Sequence, residues 1–335
     1  MPKQKKKLNA FMIFAMEVNK RRFNSSDYNK AIGIAGRLWN KLSKEKKEEY
    51  KIKAQKSSEV DCVENSDKKE PKEANEIVSV SSEINKIVTD ANSIGDLDET
   101  IFYFINASSF FEINDEIYPA EIALAKFSLK SGIIDDLHVQ INPGELPLSS
   151  IFIALEKSKN SHKYLLPPDC GGVKDYYMIL DMLISFLLPL ERLPIFFTEG
   201  NIHYNSSPFL ETRKVFEKIF YEAQEFDMQP EIKIYPIEEL FYALHNITVR
   251  NRNDINDSEK EETFPSIAFA SDTFFDNNFR LISKSCEFHD QVNAPHHCCL
   301  SKVRSYGYTI AKWCSDGSQY PLIDGKHSPH ILTLQ

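Results

Sequence analysis

Two residues near the C-terminal end are spaced to hold one ion. Cys286 and His289 stand three apart in Cys286-Glu287-Phe288-His289, so a single helical turn brings a thiolate and an imidazole to a common point. His296-His297-Cys298-Cys299 follow. A sulfur from the start of a following helix adds a third bond, and tetrahedral Zn²⁺ suits such donors. Three ligands do not close a structural site. Glu121, His138 and His162 are the candidates for a fourth. The competing reading makes Cys298 and Cys299 ordinary buried thiols and sets the histidines on a loop, because Cys-x-x-His without a second clean pair is an incomplete signature.

The elements that must position these donors belong to a chain of 335 residues, which predicts two or three domains. A hydrophobic fraction of 42% with 23 Phe and 14 Tyr supports at least one real core. The longest apolar run, Tyr176 to Leu190, is broken by Asp181 and Pro189 and reads as a buried helix, so no membrane partner is expected. The basic N-terminus lacks an apolar stretch behind it, and no secretory signal is expected. Six Cys clustered with His predict a reducing compartment and a metal instead of disulfides. The net charge of −9 conceals a split. Residues 1–57 hold 16 Lys and Arg against 5 Asp and Glu, whereas the remainder carries a balance of −20. A nucleic-acid-binding head on an acidic body is the reading.

In the head, Lys3, Lys5, Lys6 and Lys7 form a basic arm. Asn9 caps a helix in which Phe11 and Phe14 share a face. A second helix is predicted over 28–42, with Ile32, Ala35 and Trp39 recurring, and Ser43 caps a third. Three helices and the pattern Asn-Ala-Phe-x-x-Phe … Gly36-x-x-Trp39-x-x-Leu42-Ser43-x-x-x-Lys47-x-x-Tyr50 resemble an HMG box over 1–57. The resemblance implies minor-groove binding with Met12 as the inserted wedge, Asn9 at the base edges, and Lys5, Lys6, Lys7, Arg21 and Arg22 as phosphate contacts. The helices are short for such a box, which favours bent, branched or structured nucleic acid, RNA included.

Residues 58–97 turn to Ser, Glu, Lys, Asp and Asn, and read as a flexible linker, with at most a turn of helix around Ile84, Ile87 and Val88. The body, 98–320, opens with strands: 100–106, extended segments through 108–118, 119–129, and a return over 133–139 after Gly132. Helices over 174–188, 209–226, 237–244 and 299–312 then alternate with short strands at 193–198 and 232–235, and 251–262 reads as a loop. Residues 321–335 are a tail. Strands first and helix–strand alternation afterwards is the outline of an α/β RNase H-like fold. Exonucleases of that fold carry Asp-x-Glu on the first strand to grip two Mg²⁺. Here that place holds Asn106-Ala107-Ser108. Asp115, Glu121, Asp135, Asp136 and Asp175 make no equivalent pair, and solvated loop positions are the bland alternative for them. The two-metal site reads as absent.

The order of these features resembles the Maelstrom family of multidomain proteins: an HMG box, a tether, Pro119-Ala-Glu-Ile-x-Leu-x-x-Phe-Ser-Leu129, His138-x-x-Ile-Asn-Pro-Gly144, Ser-His162-Lys before Leu-Pro, and Cys286-x-x-His289 … Cys. The resemblance implies a MAEL domain of RNase H-like, DnaQ-type fold with a structural zinc, and a germline role in piRNA-guided transposon silencing, meiosis and differentiation. It implies a place in the perinuclear nuage of the cytoplasm and in the nucleus. Its Glu-His-His-Cys-Cys-His-Cys set falls on Glu121, His138, His162, Cys286, His289 and Cys298, with Cys299 a rival for the last and no clear place for the earlier Cys, since Cys170 sits in a loop. Zinc would take Glu121, Cys286, His289 and Cys298, leaving His138 and His162 behind the ligands or in the core. The partners implied are DNA or structured nucleic acid for the box, single-stranded RNA for the MAEL domain, and proteins of the piRNA pathway. The family also implies single-strand RNA cleavage, which without metal needs a general base. No catalytic residue is assigned. Lys302, Arg304 and Lys312 are candidate phosphate contacts.

Overall fold

The computed structural model describes residues 10–12, 14, 39, 47, 50–51, 72–190, 192–200, 207–223, 232–255, 261–276, 279–315 and 320–330. It divides into two compact units, Met1–Glu70 and Pro71–Gln335. Every described residue of the first unit has helical backbone. Phe11, Phe14, Trp39 and Tyr50 pack ring on ring, with centroids 5.2–6.0 Å apart. Of these, Phe14 is buried and Phe11 and Trp39 are half-buried against it. Met12 is helical and half-buried. Lys5, Lys6, Lys7, Asn9, Arg21 and Arg22 lie outside the described residues.

The second unit is built on a five-stranded mixed sheet of order β3-β2-β1-β4-β5. Its strands are β1 (Phe102–Ile113), β2 (Glu116–Ser128), β3 (Gly132–Gln140), β4 (Phe196–Thr198) and β5 (Ile234–Pro236). The segments predicted separately over 100–113 form one strand: its first ten residues are all buried, so no exposed position interrupts it. Asn114 and Asp115, at φ of 50° and 61°, make the tight hairpin to β2. β1, β2 and β3 are antiparallel neighbours, while β4 and β5 run parallel to β1. Successive residues of β1 face opposite layers: Tyr103, Ile105 and Ala107 join one core, Phe102 and Phe104 the other.

Helices cover both faces. In chain order they are α1 (Lys72–Ser93), α2 (Ile151–Asn160), α3 (Tyr176–Leu187), α4 (Ser207–Ala223), α5 (Ile237–Ile255), α6 (Ile267–Phe275), α7 (Phe279–Ile282), α8 (Glu287–Gln291) and α9 (Cys299–Cys314). Ile179 and Leu183 of α3 pack with Phe216 and Ile219 of α4 on one side. Leu240 and Leu244 of α5 pack with Val303, Tyr306 and Ile310 of α9 on the other. α9 lies close to the sheet: a Cβ on Gly307 would stand 2.4 Å from Ile133 Cδ1.

Three expectations are corrected. First, 72–93 is a 22-residue helix and no linker. Val80, Ile84, Val88 and Ala91, spaced four, four and three apart, are buried in the sheet core. This stripe stabilises the helix although its average composition is polar. Glu83 ties it to Lys233 at 2.8 Å and to the Tyr235 hydroxyl. Ile84→Ala is expected to cost about 2–4 kcal/mol in urea unfolding; a change under about 0.5 kcal/mol would mean a surface site. Second, the helix begun at Ile237 runs to Ile255, so the predicted loop starts later. Third, the tail belongs to the body through residue 330. Ile133 N–H donates to Lys326 O at 2.8 Å, and buried His327 donates to Leu129 O at 3.1 Å.

Candidate metal centre

The centre forms where three strands meet the N-terminal end of α9. β2 supplies Glu121, which is fully buried. Its ladder partner on β1 is Ser108, whose hydroxyl donates to Glu121 Oε1 at 3.3 Å. On β3, His138 lies opposite Ala123, two residues along β2 and on the same face as Glu121. His138 Nε2 therefore reaches Glu121 Oε2 at 2.8 Å.

The sulfur and imidazole donors come from local helix geometry. Cys286 occupies the N-cap of α8 and His289 lies one turn on, which sets Cys286 Sγ 3.1 Å from His289 Nδ1. A short turn over Pro295–His297 leads to Cys298, the N-cap of α9. Its sulfur accepts the Cys286 N–H at 3.4 Å. His289 Nε2 lies 2.8 Å from the carbonyl of His162. A carbonyl only accepts, so Nε2 carries the hydrogen and the Nδ1 lone pair is left facing Cys286. Tyr164, which the sequence reading passes over, is fully buried here. Its hydroxyl donates to Glu121 Oε2 at 3.2 Å, and its ring stacks on Phe288 with centroids 4.5 Å apart.

The donor atoms of Glu121, His289 and Cys298 all lie within 4.8 Å of one another, and so do those of His138, Cys286 and Cys298. Tetrahedral zinc, with bonds of about 2.3 Å to sulfur and about 2.0 Å to nitrogen or oxygen, sets ligand atoms roughly 3.3–3.8 Å apart. Each trio is gathered to within about an ångström of that spacing, and the donor chemistry is what Zn²⁺ takes. The four predicted ligands fall into two trios that share Cys298: Glu121 and His289 belong to one, Cys286 to the other. His138 is also within reach, on the carboxylate side. His162 contributes its carbonyl through His289; burial drives its imidazole down to about 3, so the ring is neutral. Cys299 enters neither donor group among the described residues. Its backbone N–H, 3.4 Å from Glu121 Oε2, is what faces the centre.

Burial opposes ionisation of Glu121, yet the hydrogen bond and charge of His138, with His289 beyond, hold its carboxyl at about 2. The hydrogen bond with Cys298 is the main cause holding Cys286 at about 4, against burial and with help from His289. The same bond pushes the Cys298 thiol up.

On the first strand, where the sequence reading looked for Asp-x-Glu, Asn106 is buried and donates to the Tyr306 hydroxyl at 3.1 Å. Two acids unforeseen in sequence stand at the ends of the neighbouring parallel strands. Glu199 follows β4 and is gripped by Arg280 and by Lys302, the latter at 3.5 Å. Glu238 opens α5 and accepts the Gly200 N–H at 2.9 Å. Burial raises the Glu238 carboxyl to about 7, aided by the nearby charge of Glu199. With a folded value above the ordinary 4.5, its stabilising contribution is complete below pH 4.5 and is lost as pH rises through about 7. Glu238→Gln should therefore remove a loss of stability on the order of 3 kcal/mol between pH 4.5 and 7.5, read by urea titration. An unchanged profile would assign that titration elsewhere.

Of the proposed phosphate contacts, Lys302 is engaged by Glu199, and Arg304 forks Asp136 at 2.7 and 2.9 Å. Lys312 lies over the rings of Phe279 and Trp313. Of the other acids, Asp175 caps α3 by accepting the Tyr177 N–H at 2.8 Å.

A family model described as "Maelstrom: piRNA pathway germ-plasm component" matches residues 112–333. The protein maelstrom homolog of Culex quinquefasciatus is 29% identical over 260 residues, covering 76% of this chain and 48% of that protein. The chain thus spans about half the length of that relative. Protein maelstrom of Drosophila melanogaster is 25% identical over 345 residues, covering 97% of this chain and 72% of its own. Among solved structures, E. coli exonuclease I in complex with a 5cy-dA13 oligonucleotide is similar at 15% identity and a TM-score of 0.33, over 64% of this chain and 40% of that one. Apo exonuclease I is similar at 15% identity and a TM-score of 0.32, over 64% and 42%.

Proposed function

Since the chain belongs to the Maelstrom family, we propose that it acts in germline piRNA-guided silencing of transposons as a nucleic-acid-binding protein whose body is braced by one structural zinc. In this reading the body binds single-stranded RNA and does no two-metal chemistry. The first unit, as an HMG box, engages DNA or structured nucleic acid, with Met12 and the basic arm as contacts. Proteins of the same pathway are its partners, in the nuage and the nucleus.

The observation that carries the proposal is the family match over 112–333, a span that includes both donor trios. Glu121, Cys286, His289 and Cys298 would hold the ion, and four protein ligands leave it a structural role. His138 and the His162 carbonyl would orient Glu121 and His289. Asn106 and Ser108 at the first-strand positions support the absence of magnesium chemistry.

Full-length chain with labelled single-stranded RNA tests the reading. Salt-sensitive binding without cleavage in Mg²⁺ is expected. Cleavage that persists in EDTA would replace it with an endonuclease working by another mechanism. No RNA affinity, with DNA bound through the first unit alone, would instead favour a chromatin factor with a protein-binding body.

A further inference from the structure

One donor of the centre meets solvent through a cleft. Glu121, His289 and Cys298 are fully buried. Cys286 is half-buried and lines a cleft of about 430 Å³ together with His138, Gln140, Phe288 and Gln291. Behind it, the Cys298 sulfur lies within 4.8 Å of the Cys286 sulfur and accepts the Cys286 N–H. A small oxidant entering the cleft reaches Cys286 first, and Cys298 stands as the thiol behind it. Cys170, Cys299 and Cys314 are buried and belong to neither donor group among the described residues.

We propose that Cys286 and Cys298 form a peroxide-oxidisable pair, Cys286 attacking and Cys298 resolving, whose disulfide opens the metal centre. Hydrogen peroxide supplies the oxidant. The Cys286 thiolate attacks one peroxide oxygen; the O–O bond breaks, a sulfenic acid forms and hydroxide leaves. The Cys298 sulfur then attacks the sulfenic sulfur; the S–S bond forms, the S–O bond breaks, and the departing hydroxide takes the thiol proton as water. Two thiols and one peroxide thus give one disulfide and two waters. A disulfide of about 2.05 Å draws both sulfurs onto each other. Both sulfurs are then lost to an ion, and the oxygen and nitrogen donors left, Glu121, His289 and His138, would not retain it against a chelator. The ion-release half rests on the zinc reading above; the thiol chemistry does not.

The test uses the full chain carrying Cys62→Ser, a thiol outside the described residues. Zinc content is measured first, peroxide is added, release is followed with a chromogenic chelator, and disulfides are mapped by mass spectrometry. About one equivalent of zinc released together with a Cys286–Cys298 disulfide, both reversed by reductant and fresh zinc, is the expected result. Cys314→Ser should behave like the parent, since α9 places that thiol about 22 Å along the helix from Cys299. Retained zinc, or release with a sulfinic Cys286 and no such disulfide, overturns the proposal and leaves the zinc reading standing. If the chain carries no zinc, that reading fails by itself. The metal-free chain then decides the pair: disulfide formation upholds it and unreacted thiols overturn it.

Discussion

Glu121→Ala is expected to lower stability by about 4–6 kcal/mol, most of what a domain possesses. The carboxylate is fully buried and is where four donors end: the His138 ring, the hydroxyls of Ser108 and Tyr164, and the Cys299 N–H. Removing it strands all four at roughly 1–3 kcal/mol each before partial relaxation. It also removes the oxygen donor of the centre. Glu121→Gln separates the two effects. The amide keeps the volume and one acceptor, so the fold should survive, while zinc content should fall well below about one per chain. A Glu121→Ala protein that unfolds within about 1 kcal/mol of the parent would show that these contacts carry little weight.

Glu199→Ala should cost about 3 kcal/mol or more, with no loss of zinc. Glu199 is buried at the end of β4, and its two cations, Arg280 from α7 and Lys302 from α9, are each mostly covered. Opposing charges at both ends keep the pair network intact; deletion of the carboxylate leaves two cations facing each other. Lys302 lies one turn from Cys299, so the network also pins α9 against the parallel strands. Arg280→Ala in the Glu199→Ala background should add less than the sum of the two single changes, since the partner is already gone. Additive costs in urea unfolding would remove the network from the account.

The parts legible in the sequence were those set by short-range geometry. Cys286 and His289 share one turn whatever surrounds them, and the apolar run at 102–105 is a buried strand in any fold that uses it. Glu121 was different. A carboxylate in a strand has no local mark of ligation; the residues alone left it one of three candidates for the last donor, and the family resemblance chose it, since its role depends on the register that sets it beside Ser108 and near His138. Cys298 and Cys299 were inseparable, because adjacent residues diverge by about 100° only once the first residue of α9 is known. Cys298 as N-cap turns its sulfur toward Cys286 and enters both donor groups, while Cys299, equally buried, enters neither among the described residues. Tyr164 left no signal at all. α1 was hidden by its composition: three of every four residues are polar or small, and the stripe of Val80, Ile84 and Val88 emerges only when α5 is there to receive it. Glu199 and Glu238 were missed because the strands they follow are three residues long, too short for their ends to be read as a site.

X-ray absorption at the zinc edge, on the purified full chain with metal content measured alongside, tests the central claim most directly. The account predicts about one zinc per chain, with two sulfurs near 2.3 Å and two nitrogen or oxygen neighbours near 2.0 Å. A chain without zinc, or a shell holding no sulfur or four sulfurs, would contradict it.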